Sequence, residues 1–149
     1  MTSTHAKLLY HVVFSTKHRI PCLIPAVRDK LYPYIDGIVR HQHGSIIEIG
    51  GMPDHVHILL QLAPHVSVSN LLQNIKGGSS HWLQEQHLLR DRFAWQRGYG
   101  AFSVSESNVS RVRRYIQEQE EHHRKESSAS ELIRLLRRHR ISFEGDPTT

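Results

Sequence analysis

The sequence predicts an α+β domain: a four-stranded antiparallel sheet with helices packed on one face, and an additional C-terminal helix that carries a tyrosine. Three observations predict it. Four short segments alternate or are rich in β-branched and apolar residues, as strands are. The longer segments between them place apolar residues at helical spacing. The order runs strand, helix, strand, strand, helix, strand, and then helix again. With 149 residues the chain can bury one substantial core and is too short for two comfortable ones, so 1–149 reads as a single domain.

The first strand is "AKLLYHVVFSTK" (6–17), with Leu8, Tyr10, Val12 and Phe14 on one face. After "RIPCLIP", residues 26–42 set Val27, Leu31, Ile35, Ile38 and Val39 at helical spacing. Pro33 falls inside that helix and is expected to kink or shorten it, and Gly44 in "HGS" suits the position just past its end. "SIIEIGG" (45–51) and "HVHILLQL" (55–62) are two strands joined by a proline-containing turn, which reads as a hairpin. "SVSNLLQNIKG" (67–77) opens with serines fit to cap a helix, and "SSHWLQEQHLL" (79–89) reads as a second helical piece. "YGAFSVS" (99–105) is the fourth strand. Asn108 is then placed to cap a charged amphipathic helix reaching about Lys125, and "SASE" (128–131) fits a capping box for a last helix. The order β-α-β-β-α-β is the ferredoxin-like, or split βαβ, plan. That plan hosts unrelated functions, so chemistry has to be argued from a site.

Composition narrows the partners. The apolar runs are far shorter than a membrane span, and "MTSTHAK" lacks the apolar centre of a signal peptide, so no membrane partner and a cytoplasmic location are expected. One cysteine, Cys22, leaves no internal disulfide and no site of several thiolates. Nineteen Lys and Arg against fourteen Asp and Glu give a net charge of +5, with thirteen histidines uncounted. Such a balance favours a polyanionic partner, and so many imidazoles point to a metal, a phosphate or both.

Two constellations carry candidate chemistry. In "GGMPDHVHILLQL" (50–62), His55 and His57 lie two apart on a strand and so face the same way, with Val56 turned toward the other side. They offer two neutral nitrogen ligands without bending the backbone. For an isolated pair the commoner outcome is two imidazoles on a solvated face. Asp54 reads as a turn residue after Pro53, with a third ligand as the alternative. In "NVSRVRRYIQEQEEHHRK" (108–125), Val109, Val112 and Ile116 form an apolar stripe, and Tyr115 shares a helix face with Gln119, four residues on. A tyrosine beside an apolar stripe is usually a packing residue.

Taken together, the two become specific. A tyrosine hydroxyl can cleave a phosphodiester when something offsets its pKa of about 10 and the charge developing on phosphate. A divalent cation supplies a Lewis acid at the phosphate and orients the scissile bond. Two imidazoles and an amide oxygen form a three-ligand set softer than magnesium prefers, so of Mg2+ and Mn2+ the second should bind more willingly.

An H-x-H with an apolar middle residue, followed by a helical tyrosine with glutamine four residues later, resembles the HUH single-tyrosine transposases, and in particular the small TnpA-type insertion-sequence transposases. The likeness extends through "YHVVFSTKHR", "GGMPDHVHILL", "SVSNLLQNIKGGSS", "GYGAFSVS" and "VRRYIQEQEEHH". It implies His55 and His57 as metal ligands, Gln119 as the third ligand and Tyr115 as nucleophile. The activity implied is cleavage and rejoining of single-stranded DNA, including hairpin-containing element ends, through a 5′-phosphotyrosine link that leaves a free 3′-hydroxyl. A homodimer is implied too, in which the histidine strand of one subunit meets the tyrosine helix of the other. The connection "GYGAFSVSESNVS" permits that exchange and equally permits a loop back within the chain.

Phosphate contacts are expected from Lys17, His18, Arg19, Lys76, Arg111, Arg113 and Arg114. Lys76 stands out because "GGSS" behind it reads as a glycine-rich turn whose N–H groups approach phosphate. His122 can either assist proton transfer at the tyrosine or face solvent, and Trp82, Trp95 and Phe102 are expected to pack in the core. Two other readings compete: a ferredoxin-like protein that binds nucleic acid without cutting it, and a hydrolase in which H-x-H activates water.

Overall fold

The computed structural model of the chain describes residues 3–149. Strands β1 (Leu8–Ser15), β2 (Gly44–Met52), β3 (His55–Leu62) and β4 (Gly100–Val104) form one sheet in the order β2-β3-β1-β4. Every neighbouring pair is antiparallel. The strands before and after α1 (Pro25–His41) therefore run parallel with β3 between them, and those flanking α2 (Val68–Gln86) run parallel with β1 between them. This is the split βαβ arrangement that the element order predicts.

Helices α1 and α2 cover one face. Val12 and Phe14 of β1 and Val56, Ile58, Leu60 and Leu62 of β3 meet Val27, Leu31, Ile35 and Val39 of α1 and Leu71, Leu72, Ile75 and Leu83 of α2 in one apolar cluster. Trp95 and Phe102 are buried as expected, and Trp82 stacks on Tyr34. The opposite face is not left to solvent. It is covered by α3 (Val109–Gln117), α4 (Gln119–His123) and α5 (Ser128–Arg138), with Leu135 and Leu136 of α5 closing a second cluster on Val13 and Phe102.

Several local expectations are corrected. Helix α1 continues through Pro33 without shortening, and His43, not Gly44, takes the left-handed position after it, at φ 61°. Gly44 instead opens β2, where a Cβ would lie 2.9 Å from both Leu62 Cδ2 and Val39 Cγ1. The two helical pieces expected at 67–77 and 79–89 are one helix, because Gly77 and Gly78 stay helical and the turn expected at "GGSS" does not form. Ser67 caps that helix, its Oγ accepting from Asn70 N at 3.1 Å. The single helix expected from Asn108 to Lys125 breaks at Glu118, and Asn108 makes no side-chain cap. For the last helix the cap is Ser127, one residue earlier than the capping box required. Glu131 is thereby moved from the first-turn capping position and freed for another role.

Candidate active site

Strand alternation brings His55 and His57 to the α3–α5 face, while Val56 between them enters the apolar cluster. Both imidazoles are buried, at 1% and 0% exposure, because helices cover this face. Each ring is oriented from behind through Nδ1. Asp54, at the hairpin turn, accepts from His55 Nδ1 at 2.7 Å, and His57 Nδ1 accepts from His11 Nε2 of the neighbouring β1 at 2.8 Å. Asp54 is thus a turn residue, as read, and also the carboxylate that aims a ring, an arrangement common behind metal-binding histidines. Both Nε2 atoms point inward, toward the covering helices.

Tyr115 comes from α3, which lies against β2 at Gly50, where a Cβ would meet Ile116 O at 2.8 Å. That close approach brings the Tyr115 ring 5.7 Å from the His57 ring and 6.1 Å from the His11 ring, both edge-on. The break at Glu118 keeps Gln119 beneath the tyrosine. Gln119 Oε1 sits 3.0 Å from His55 Nε2 and 3.1 Å from His123 Nε2, and Gln119 is 2% exposed. His122 packs its ring 4.5 Å from that of Tyr115.

The residue that sequence reasoning missed is Glu131. Its Oε1 accepts from His57 Nε2 at 2.8 Å and lies 3.2 Å from both His55 Nε2 and His123 Nε2. Its Oε2 accepts from the Tyr115 hydroxyl and, at 3.2 Å, from Gln119 Nε2. From the same helix, Arg134 Nη2 donates to Tyr115 Oη at 2.9 Å. Ser128 pins the start of α5 to the hairpin by donating to Asp54 Oδ2 at 2.8 Å. His11, His123, Glu131 and Arg134 all escaped the sequence reading. The available signal was the sequence pattern of α5, in which Glu131 and Arg134 fall three apart and so share a face.

The electrostatics follow from burial and these partners. Burial alone would depress His55, but Asp54 and Glu131 overcome it and raise it to about 9. Burial keeps His57 below its usual value and, with His57 beside it, lowers His11 to about 3. For Glu131, burial is outweighed by hydrogen bonds from His123, His55 and His57, which hold it well below the carboxylate range. Burial and the Glu131 charge push Tyr115 up, against the opposing pull of Arg134. At neutral pH the site therefore holds the His55 imidazolium between two carboxylates, Asp54 and Glu131.

The donor chemistry suits a divalent cation. His55, His57 and Glu131 offer ligand atoms that all lie within 4.8 Å of one another, and the amide oxygen of Gln119 and the imidazole of His123 border them. Nitrogen-rich sets with one or two oxygens favour manganese and its heavier neighbours over magnesium. Such a set fits a divalent metal better than the bare histidine pair does.

The expected phosphate contacts are dispersed. Arg111 lines a cleft of about 240 Å³ that opens beside Tyr115 and also takes in Arg138, His139 and Asn108. Arg114 is exposed on α3. Lys17 is exposed in the short helical turn after β1. Arg113 donates to Glu48 at 3.1 Å. Arg19 binds Ser15 and Ser128 at 3.0 and 2.8 Å, tying β1 to α5. Lys76 lies in mid-helix, its Nζ held by the carbonyls of Gln96 and Gly98 at 2.6 Å each. The glycine-rich phosphate cradle expected behind it is absent, since its N–H groups belong to α2.

The sequence model of the family described as "Transposase IS200 like" matches residues 4–119. The chain is 28% identical over 118 residues to the ISDra2 transposase TnpA of Deinococcus radiodurans, covering 76% of this chain and 84% of that one. It is 31% identical over 115 residues to the transposase of insertion sequence IS200 from Salmonella typhimurium, covering 74% and 75%. Among solved structures, a candidate transposase from Deinococcus radiodurans superposes with a TM-score of 0.61 at 26% identity, over 80% of this chain and 95% of that one. A REP-associated tyrosine transposase bound to a REP hairpin shares the fold at 16% identity and a TM-score of 0.63, over 83% and 74%. The family match takes in His55, His57, Tyr115 and Gln119 and stops short of His123, Glu131 and Arg134.

Proposed function

This chain belongs to the IS200-like transposase family, and from that premise we propose that it cuts and rejoins single-stranded DNA through a covalent link between Tyr115 and a 5′ phosphate, with a divalent metal held at the histidine pair. One observation carries the reading: a tyrosine hydroxyl converges with two inward-facing imidazoles and a carboxylate drawn from three separate elements. Nucleic-acid binding alone needs none of these four groups. His55, His57 and Glu131 would hold the cation, with Gln119 Oε1 beside them. When bound, it supplies a Lewis acid that draws charge from a phosphate oxygen.

The residues of the chain account for the rest of the step. Tyr115 Oη attacks phosphorus while the bond from phosphorus to the 3′ oxygen breaks. Glu131 Oε2 orients the hydroxyl through its hydrogen bond, but the histidines hold that carboxylate well below its usual range, so the phenol proton goes on to water, and the departing 3′ oxygen takes a proton from water. His11 and Asp54 keep the two imidazoles aimed. Because one phosphoester replaces another, attack by a 3′-hydroxyl on the phosphotyrosine reverses the step without an external energy source. The cleft beside Tyr115, bordered by Arg111 and Arg138, supports approach of the strand from that side. The hairpin bound by the REP-associated relative supports folded single strands as the substrate. Duplex DNA fits less well, since extruding a paired nucleotide costs a few kcal/mol.

The geometry supports a site completed within one chain. Tyr115 lies against its own histidines, so the twofold dimer implied by the resemblance is not needed to complete this set. The test is incubation with Mn2+ and single-stranded DNA, followed by denaturing electrophoresis. The wild-type protein should form a denaturation-resistant adduct, and Tyr115→Phe should form none while still binding DNA. Undiminished cleavage by Tyr115→Phe would hand the reaction to a water-activating hydrolase. In the same assay, heterodimers of His57→Ala with Tyr115→Phe subunits should stay inactive, and adduct on the His57→Ala chain would mark a site shared between subunits.

A further inference from the structure

Beyond the stretch matched by the family lies a helix that reaches the nucleophile directly. We propose that Arg134 of α5 is a further catalytic residue, one that holds Tyr115 Oη for attack and stabilises the charge on that oxygen as its proton leaves. The inference rests on the strand-cleavage reading above and deepens it.

The geometry is that of a clamped guanidinium. Arg134 Nε and Nη2 donate to Glu126 Oε1 and Oε2, each at 3.0 Å, which fixes the planar fork at two points. The same Nη2 then donates to Tyr115 Oη at 2.9 Å, and the guanidinium carbon lies 5.7 Å from the centre of the tyrosine ring. A bidentate carboxylate partner is what turns a flexible arginine into a positioned one. An arginine placed only to tie Glu126 to α5 would make the first pair of bonds and need not make the third.

The two charged groups of α5 divide the work at a single oxygen. Glu131 accepts the hydrogen bond of the tyrosine hydroxyl and Arg134 donates to the lone pair of the same atom. Oη thus keeps a donor after its proton has gone, and the new ester oxygen keeps the same donor once the bond to phosphorus has formed. In the reverse step that oxygen is the leaving group, so Arg134 assists both directions. Positioned donors at an oxygen where charge develops are among the largest single contributions to catalysis.

The experiment follows adduct formation in a single turnover, using Mn2+ and a fluorescent pool of random-sequence single-stranded DNA. Arg134→Ala should slow it by about 100-fold, with DNA affinity and melting temperature close to those of the wild type. Arg134→Lys should recover part of the rate, since an ammonium supplies charge without the fork. Added guanidinium ion, kept at millimolar concentration, should raise the Arg134→Ala rate and leave Arg111→Ala unchanged. An Arg134→Ala protein within about threefold of the wild-type rate would overturn the proposal, against the loss expected for a positioned donor. So would a loss that follows the melting temperature and is untouched by guanidinium. If the wild-type protein itself forms no adduct, the strand-cleavage reading falls and takes this role with it. Adduct from wild type and Arg134→Ala alike removes only the role of Arg134.

Discussion

The two faces of the sheet are equally dry and are built by opposite means. Ile58 looks toward α1 and α2, His57 looks toward α3–α5, and each is 0% exposed. The first face is held by apolar contact, which is non-directional and tolerates volume-conserving exchange. The second has a smaller apolar cluster at Val13, Phe102, Leu135 and Leu136, and around the histidine pair it is held atom by atom, through His11, Asp54, Gln119, His123 and Glu131. Any one deletion there leaves a buried donor or acceptor without a partner. Burial does not separate core from site in this molecule; the network of partners joining the buried imidazoles, amide and carboxylate does, with His122 Nε2, buried beside Tyr115, left outside it.

The sharpest way to break this comparison is to cut each face once. Ile58→Ala should cost about 2–5 kcal/mol of stability while the folded protein still gains stability from Mn2+. His57→Ala should cost less, about 1–3 kcal/mol for stranded partners, and should abolish both adduct and metal response. The wild-type gain should be about 2.7 kcal/mol when metal stands at 100 times its dissociation constant. Thermal melts with and without Mn2+ read both quantities, and a His57→Ala protein that is still stabilised by Mn2+ would place the metal elsewhere.

A smaller effect tests the charge state of the polar face. His55 is raised to about 9, so it carries its proton across the neutral range and must release it to coordinate a cation. Metal binding near neutral pH should release about one proton, and the release should fade as pH rises through His55's own value. Calorimetry in buffers of different ionisation enthalpy measures this directly. Release that is absent at neutral pH would mean that Asp54 and Glu131 do not hold the imidazolium. The linkage also has a sign for stability. A raised histidine stabilises the metal-free fold fully below its unfolded value near 6.5 and loses that contribution as pH climbs through about 9.

The smallest expected effect lies on the apolar side. Gly77 sits inside α2 with open space where a Cβ would stand, so Gly77→Ala should stabilise the protein by about 0.5–1 kcal/mol. Denaturant titration checks it, and a loss would point to a turn at this position.

How much could be read in advance follows the same division. The apolar face was legible, because alternation and helical spacing are local: β3 was placed at His55–Leu62 to the residue. The facing of His55 and His57, and the proximity of Tyr115 and Gln119, were legible for the same reason. Errors on that side came from glycine and proline, whose local preferences were overruled by packing. Pro33 stays within α1 and Gly77–Gly78 stay within α2. The polar face was only half legible, since its partners are set by tertiary pairing. His11 meets His57 because β1 lies beside β3, and Glu131 meets His57 across 74 residues of chain. A glutamate three residues into "SASE" had a sufficient local explanation as a cap, which hid its role.

The hairpin between β2 and β3 limits which changes of length the chain can survive. Met52 pairs directly with His55, so only Pro53 and Asp54 make the turn, and both ends of that turn are tied down. The Asp54 carbonyl accepts from Thr16 N, and the Pro53 carbonyl accepts from Leu23 N, each at 2.9 Å. There is no slack to absorb an extra residue. A single insertion here that shifted β3 by one position would turn Val56 toward Tyr115 and drive both imidazoles among the leucines of α1 and α2. Between α2 and β4 the chain is likewise without slack from Phe93 onward, where Phe93 and Trp95 are buried, Ala94 O accepts from Lys17 N and Gln96 N donates to Ser15 O. Descendants of this chain can therefore drift in length at the exposed stretch 90–92, whereas from Met52 to His57 they must keep count.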